Sequence, residues 1–171
     1  MNRLLILLVA SLLSCPGPAP AQKVASFGES DKTAITQLFD RYARAYSTKD
    51  YTALRECLQA PFLRLPADTA IWDVQGTLDE AMTYYKNHRE ALDKDNYDHS
   101  EYVRTELRAL GANRALVDQI YRRYRKDGTV LLEASAIYVV SKSSGTWKIC
   151  GILAQDPEEY RKVHSTASTG A

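Results

Sequence analysis

The sequence has almost no excess of charge of either sign, and it lacks the short motifs of the common enzyme classes. Lysine and arginine number 22 and aspartate and glutamate 21, which gives a formal net charge of +1. Binding to nucleic acid or to an anionic membrane surface needs clustered, uncompensated basic residues, so no nucleic-acid partner is expected. No G-x-S-x-G, G-x-G-x-x-G or P-loop pattern occurs, which removes the usual hydrolase, dinucleotide and nucleotide signatures.

Histidine is scarce, and its spacing does not suit a metal site. The three histidines are His88, His99 and His164, and they form neither an H-x-x-x-H pair nor a local pairing with cysteine. Zinc sites need such clustered ligands. We therefore expect no metal and no other cofactor.

The first 21 residues have the order of a secretory signal peptide. Arg3 precedes an apolar run of about ten residues, and small residues end at Ala21. This run is shorter than the roughly 20 apolar residues that span a bilayer. We expect residues 1–21 to be cleaved, residues 22–30 to form a leader, and the protein to be periplasmic or secreted, with no transmembrane segment after processing. The alternative is a lipid anchor, because Leu12-Leu13-Ser14-Cys15 is similar to a lipobox in which Cys15 is lipidated.

Two cysteines, Cys57 and Cys150, remain after the signal peptide. An exported protein meets an oxidising compartment in which disulfides form and persist, and an even count suits a bridge between these two residues. The alternative is a pair of buried thiols that act as small hydrophobic side chains. The sequence alone leaves both interpretations open.

The mature chain begins with three predicted helices. Apolar residues recur at helical spacing from Asp31, which predicts a long first helix. Asp50 is placed to cap a short second helix through Leu58, which Pro61 ends before a first strand from Phe62 to Leu65. Thr77 and Glu80 have the spacing of a capping box, which predicts a third helix.

From about residue 100 the apolar period changes from 3.6 to 2. Val103, Thr105 and Leu107 alternate with charged residues, as in an antiparallel strand with one buried face. Three further strands are predicted up to about residue 155. Residues 156–171 are expected to form a short helix and a disordered tail.

This order of elements resembles the nuclear transport factor 2-like superfamily, in particular its ketosteroid-isomerase and polyketide-cyclase-like branch. The likeness rests on the segment 46–54 (YSTKDYTAL), on Gly76 before the cap at Thr77, and on the segment 145–149 (GTWKI). It covers residues 31–155 and implies an α+β fold. The expected architecture is a cone-shaped roll, in which a curved antiparallel sheet wraps around a long N-terminal helix with two further helices. A pocket at the open end of the cone and a homodimer are also implied.

In isomerase-like members of the superfamily, a tyrosine on the first helix and an acid on the sheet form an oxyanion hole, and a carboxylate after the second helix moves the proton. The resemblance nominates Tyr42 or Tyr46 as the tyrosine. Arg64 stands where the carboxylate would be wanted, which leaves Asp68 and Asp73 as the nearest acids. We take Asp73 as the candidate, because it follows Trp72 and so lies close to a pocket wall.

His99 is a second candidate acid or base. If the strand begins early enough, His99 shares the alternation phase of Val103 and Leu107 and its imidazole points inward. The interpretation that we favour is a histidine at the rim of the strand. His88, in contrast, is expected to be exposed on the third helix.

Tyrosine is unusually frequent, with eleven residues against three phenylalanines. Tyrosine combines an apolar ring with a hydrogen-bonding hydroxyl, as does tryptophan with its ring N–H, and both suit the wall of a cavity for an apolar ligand. The alternative is that these rings fill the core or cover a dimer face. The basic segment 121–126 is expected to be a solvated strand face. The residues nominated as ligand-binding are Tyr46, Trp72, Tyr85, Tyr121, Tyr138 and Trp147.

These observations predict an exported small-molecule-binding domain with an apolar, tyrosine-lined pocket. A first alternative is a proton-transfer enzyme of the isomerase, cyclase or dehydratase type. A second is a structural or envelope-assembly module. A carboxylate or histidine within hydrogen-bond reach of a tyrosine hydroxyl in the cavity would favour the enzyme, and the absence of a cavity would favour the structural module.

Overall fold

A computed structural model describes residues 26–158 and 160–161 of the chain. The predicted signal peptide, Cys15 and the predicted tail beyond residue 161 lie outside the described residues. No helix in the described part is long and apolar enough to cross a membrane. The elements are α1 (Glu29–Thr48), α2 (Tyr51–Cys57), β1 (Leu58–Leu65), β2 (Asp73–Gln75), α3 (Leu78–Lys94), β3 (Tyr97–Gly111), β4 (Arg114–Arg125), β5 (Val130–Ser143) and β6 (Thr146–Gln155).

The six strands form one curved, open sheet in the order β2-β1-β6-β5-β4-β3. Four of the five neighbouring pairs are antiparallel, whereas β1 runs parallel to β6. The sheet is therefore mixed, which refines the expected antiparallel sheet. Gly151 lies at the parallel junction, where a Cβ atom would come within 3.2 Å of the Leu63 carbonyl oxygen. A residue without a side chain lets these two strands approach.

The second and third helices begin where the local sequence predicts, whereas α1 begins at Glu29, two residues before the predicted start at Asp31 and within the predicted leader. The Asp50 carboxylate accepts a hydrogen bond from the Ala53 amide at 3.0 Å and starts α2. At α3 the Thr77 hydroxyl accepts from the Glu80 amide, and the Glu80 carboxylate accepts from the Thr77 amide, both at 3.2 Å. The capping box is thus confirmed. Along α1 the predicted apolar face is buried, with Ile35, Leu38, Phe39, Tyr42, Ala45 and Tyr46 in the core.

The second helix ends one residue earlier than expected, and the first strand begins at Leu58 rather than at Phe62. The helix stops at Cys57, and the chain passes directly into β1, in which Leu58 is fully buried and pairs with Ile149 of β6. Pro61 lies within the strand, where the register with β6 is interrupted between Leu58 and Leu63. Proline has no N–H to donate to a neighbouring strand, so it marks the irregularity within β1 rather than the end of the helix.

Bulges in β3 change which of its residues face the core. The register with β4 shifts between Tyr97 and His99 and again between Tyr102 and Arg104. One extra residue in a strand reverses the alternation of its side chains. Val103 is consequently exposed, contrary to the expected inward orientation, and Tyr102 packs against the core.

The core fills the space between the concave face of the sheet and the helices α1 and α3. Five of its buried residues are tyrosines, and several of these meet other rings edge to face, an arrangement that aromatic rings prefer over a face-to-face sandwich. Phe39 and Tyr138 have ring centroids 5.0 Å apart, and Tyr42 and Tyr85 6.0 Å apart. The first contact ties the long helix to β5, and the second ties it to α3.

Cys57 and Cys150 are both free thiols, so of the two interpretations that the sequence leaves open the pair of thiols holds. Cys57, the last residue of α2, is buried in the core, and its Sγ donates to the Ala53 carbonyl oxygen at 3.3 Å. Cys150 is half-buried on β6 at the point where the register with β5 shifts, and its Sγ donates to the Val139 carbonyl oxygen at 3.4 Å.

The carboxylate of Asp31 is buried at the end of the molecule that lies away from β2. Asp31, at the start of α1, accepts hydrogen bonds from Lys142 Nζ at 2.8 Å, Trp147 Nε1 at 3.0 Å and the Gly28 amide at 3.1 Å. These hydrogen bonds lower the pKa of Asp31 to about 2, Lys142 contributing most. The carboxylate therefore joins α1 to the hairpin of β5 and β6.

The Asp31→Asn variant is expected to unfold at a lower temperature than the wild type at pH 7. The native pKa of Asp31 lies below the value of an unfolded aspartate, so its stabilisation is present above about pH 4 and is lost as pH falls towards 2. The difference in melting temperature should accordingly shrink between pH 4 and pH 2. Thermal denaturation followed by circular dichroism measures it. Asp40→Asn, on the exposed face of the same helix, is the control, because Asp40 takes no part in these hydrogen bonds.

Candidate functional site

A cavity of about 290 Å³ lies between α1, α3, the end of β1 and the concave face of the sheet. Most of its wall is aromatic, and the remaining apolar part comes from side chains such as Leu65, Pro66 and Ile152. Arg64, His88, Ser100 and Arg123 are the other polar groups. Within the described ranges no aspartate or glutamate lines it. The tyrosines that line it are Tyr42, Tyr46, Tyr84, Tyr85, Tyr102, Tyr121 and Tyr138.

Tyr46 and His88 form a hydrogen-bonded pair in this cavity. The Tyr46 hydroxyl of α1 and Nδ1 of His88 of α3 are 2.5 Å apart. The pKa of His88 is lowered to about 4, mainly by burial and in smaller part by the positive charges of Arg123 and Arg64. Burial raises the pKa of Tyr46 well above its usual value. At neutral pH the pair therefore consists of a neutral imidazole and a protonated phenol.

Arg64 is fixed at the cavity by two contacts. It follows the buried Phe62 by two residues on β1, so its side chain leaves the inner face of the strand. Its guanidinium lies 3.4 Å from the centroid of the Tyr84 ring and donates to the Asp73 carboxylate at 2.5 Å. A cation placed over an aromatic face is attracted by the ring.

Arg123 reaches the cavity from β4 and has no carboxylate partner among the described residues. Its Nε is buried and makes no hydrogen bond. Its guanidinium carbon lies 5.4 Å from the centroid of the Tyr121 ring. The cavity thus contains one guanidinium that is paired and one whose charge is not balanced by an acid.

The structure brings only part of the predicted site together. Five of the nominated tyrosines line the cavity, namely Tyr42, Tyr46, Tyr85, Tyr121 and Tyr138. Trp147 belongs to the Asp31 cluster at the other end of the molecule, and Trp72 is exposed in the loop before β2. Asp73 lies on the edge strand, where it binds Arg64 rather than lining the cavity.

His99 lies outside the cavity, which agrees with a histidine at the rim and overturns the inward orientation considered for it as an acid or base. The bulge after Tyr97 turns its ring to the outer side of β3, where it stacks on Tyr124 with centroids 5.0 Å apart. Its Nδ1 is 2.8 Å from the Asp98 carboxylate, a hydrogen bond that raises the pKa of His99. A half-exposed histidine held between acids does not share the chemistry of the aromatic cavity.

Sequence reasoning missed His88 and both arginines. His88 follows the buried Tyr85 by three residues and precedes the buried Leu92 by four, a spacing that places it on the inner face of α3. Arg123 lies on the same face of β4 as the inward-facing Val117, Gln119 and Tyr121, because residues two apart on a strand point the same way. The same alternation applies to Arg64 and Phe62. The charge of Arg64 and Arg123 suggests solvent exposure, whereas the helical period of α3 and the alternation of β1 and β4 place His88 and both arginines on inward faces.

Comparison with known proteins identifies the family. Residues 30–157 match the model of a family described as NTF2-like protein (DUF6841). The chain belongs to this family. The expected nuclear transport factor 2-like relationship and the α+β roll are thereby confirmed. The chain matches none of the curated proteins.

Solved structures share the fold at low sequence identity. A protein of unknown function with a cystatin-like fold from Nostoc punctiforme superposes with a TM-score of 0.62 at 12% identity, over 77% of this chain and 95% of that one. An NTF2-like protein of unknown function from Pseudomonas putida gives 0.62 at 14% identity, over 77% and 89%. A candidate ketosteroid isomerase from Shewanella frigidimarina gives 0.54 at 15% identity, over 71% and 94%. Likeness at this level establishes the fold and not the activity.

The low pKa of His88 predicts a pH-dependent stability. A histidine with a native pKa of about 4 and an unfolded pKa of 6.5 contributes stability that is fully present above pH 6.5 and is lost as pH falls towards 4. The shift corresponds to about 3 kcal/mol at most. Urea unfolding of His88→Gln should show a free energy of unfolding that falls less between pH 6.5 and pH 4 than that of the wild type. His99→Gln serves as the control, since the raised pKa of His99 gives it the opposite sign.

Proposed function

We propose that the protein binds a small molecule with an apolar, ring-sized body and an anionic group. The observation that carries this proposal is the unbalanced charge of the cavity. Arg64 and Arg123 line it, and no carboxylate among the described residues does. A carboxylate on the ligand would supply the missing negative charge, and a planar guanidinium binds carboxylates through paired hydrogen bonds.

The state of Arg123 supports an anionic ligand in energetic terms. A buried donor without a partner costs about 1–3 kcal/mol, and Nε of Arg123 is such a donor. A ligand that accepts its hydrogen bond removes this cost on binding. Arg64 is pre-positioned by Asp73 and Tyr84, so little side-chain freedom is lost when it contacts the same ligand.

The size and lining of the cavity support a small ligand with an aromatic body. A volume of about 290 Å³ lies at the lower end of the 300–1,000 Å³ that is usual for small-molecule sites. It suits a molecule with one or two rings better than a tetracyclic one. Tyrosine rings give edge-to-face contacts to such a body and hydroxyls to its polar substituents.

Other parts of the sequence-based prediction are untested by this cavity. Export through residues 1–21, the lipid anchor at Cys15 and the homodimer remain predictions. The presence of a cavity supports a ligand-binding protein over the structural or envelope-assembly module.

Arg123 should decide the affinity for an anionic ligand. The wild type is expected to bind 3-phenylpropionate and to bind the uncharged 3-phenylpropionamide more weakly. Arg123→Gln should weaken binding of the acid by about 10- to 100-fold, the worth of a charge-assisted hydrogen bond, and change binding of the amide little. Isothermal titration calorimetry measures both affinities, and circular dichroism confirms that the variants are folded.

Arg122 provides the matched control for this experiment. It is the neighbouring residue on β4, it is exposed, and it pairs with Glu133 at 2.7 Å. Arg122→Gln should therefore leave the affinity for 3-phenylpropionate unchanged. Equal affinity of the wild type for the acid and the amide would contradict the proposal, as would an equal loss in both arginine variants.

A further inference from the structure

The pair formed by Tyr46 and His88 goes beyond what anion binding requires. Arg64 and Arg123 already supply two positive groups, yet the cavity also places a neutral imidazole 2.5 Å from a phenol. The two residues come from different helices, α1 and α3, so their contact depends on how those helices pack. A histidine and a hydroxyl at hydrogen-bond distance in a cavity are a common arrangement of proton-transfer groups.

The tautomer of His88 decides what this pair offers to a ligand. When Nδ1 carries the hydrogen, it donates to the Tyr46 oxygen, and the Tyr46 O–H is left to donate elsewhere. Nε2 then carries a lone pair, and no described residue makes a hydrogen bond to it. In this tautomer the cavity presents a base and a hydrogen-bond donor side by side.

The surrounding charges favour negative charge on a bound molecule. Arg64 and Arg123 both act electrostatically on His88, and Arg123 also acts on Tyr46, so the guanidiniums lie close to the pair. Positive groups held in a site of low polarity stabilise an oxyanion as it forms. Tyr84 stacks on His88 with centroids 5.6 Å apart and limits the rotation of the ring.

We infer that Tyr46 and His88 catalyse the enolisation of a 2-oxo acid that carries an aromatic side chain. The inference rests on the proposed function, since the carboxylate of this substrate is the anion that the arginines bind. Its carbonyl oxygen can accept from the Tyr46 hydroxyl, its acidic C–H can meet Nε2 of His88, and its ring suits the tyrosine wall. The three chemical features of the substrate thus correspond to three features of the cavity.

The step needs no oxidant, reductant or co-reactant. Nε2 of His88 takes the proton from the carbon next to the carbonyl, the C–H electron pair forms the C=C bond of the enolate, and the carbonyl π pair moves to the oxygen. The Tyr46 hydroxyl donates a hydrogen bond to that oxygen. The imidazolium, whose N–H exchanges with solvent, then delivers a proton, or a deuteron in D2O, to the oxygen to give the enol or to the carbon to give back the oxo acid, and the imidazole is neutral again.

Exchange of hydrogen for deuterium at that carbon tests the inference. Phenylpyruvate in D2O is the probe, and proton NMR follows the loss of its CH2 signal with and without the protein. The wild type should accelerate exchange over buffer alone. His88→Gln should accelerate exchange about 100-fold less than the wild type, which is within the range for loss of a general base. Tyr46→Phe should lose about tenfold, because the base remains.

The control variant and a binding measurement separate catalysis from folding and from affinity. His99→Gln replaces a histidine outside the cavity and should exchange phenylpyruvate as fast as the wild type. His88→Gln should still bind the unreactive 3-phenylpropionate within about threefold of the wild type, since its arginines are intact.

Each outcome bears on one proposal. Binding of 3-phenylpropionate without accelerated exchange of phenylpyruvate would overturn the catalytic inference and leave the binding function standing. Equal acceleration by the wild type and His88→Gln would overturn it as well. Failure of the wild type to bind 3-phenylpropionate would instead refute the binding function on which the inference rests.

Discussion

The site depends on the hydrogen bond between the hydroxyls of Tyr42 and Tyr85. The Tyr42 hydroxyl donates to that of Tyr85 at 3.1 Å, and both side chains are buried. A buried hydroxyl without a partner costs about 1–3 kcal/mol, so the two groups stabilise the fold only when α1 and α3 meet at this register. Tyr46 follows Tyr42 by four residues and His88 follows Tyr85 by three. The same register therefore brings Tyr46 and His88 together one turn further along.

Contacts with the sheet also fix the position of α1 relative to β5 and β6. Tyr138 of β5 meets Phe39 and Tyr42 edge to face, with centroids 5.0 and 5.9 Å apart, and Asp31 ties the start of the helix to the hairpin of β5 and β6. The helix is thus held at its start and near its middle, while its C-terminal half faces the cavity. A pocket at that end exists because the strands curve past the helix without closing on it.

Local signals in the sequence were sufficient to predict the helices and the aromatic lining of the cavity. The capping box at Thr77 and the apolar period of α1 act within a few residues, so they could be interpreted without tertiary information. Features set by strand pairing could not be derived in this way. The bulge that turns His99 outward and the pairing of Leu58 with Ile149 depend on residues far away in the chain. An alternation rule carried through an unseen bulge assigns every later side chain to the opposite face.

The arginines show how composition conceals local charge. A chain with 22 basic and 21 acidic residues has no net excess to suggest an anion site, yet its cavity contains two guanidiniums and no described carboxylate. Asp73 balances Arg64 from outside the cavity, whereas no described acid pairs with Arg123. Burying a cation without a partner destabilises a folded protein, and a neutral side chain of similar size would avoid that penalty. Such a residue opposes stability on its own, and this is the physical basis of our proposal that Arg123 binds a ligand.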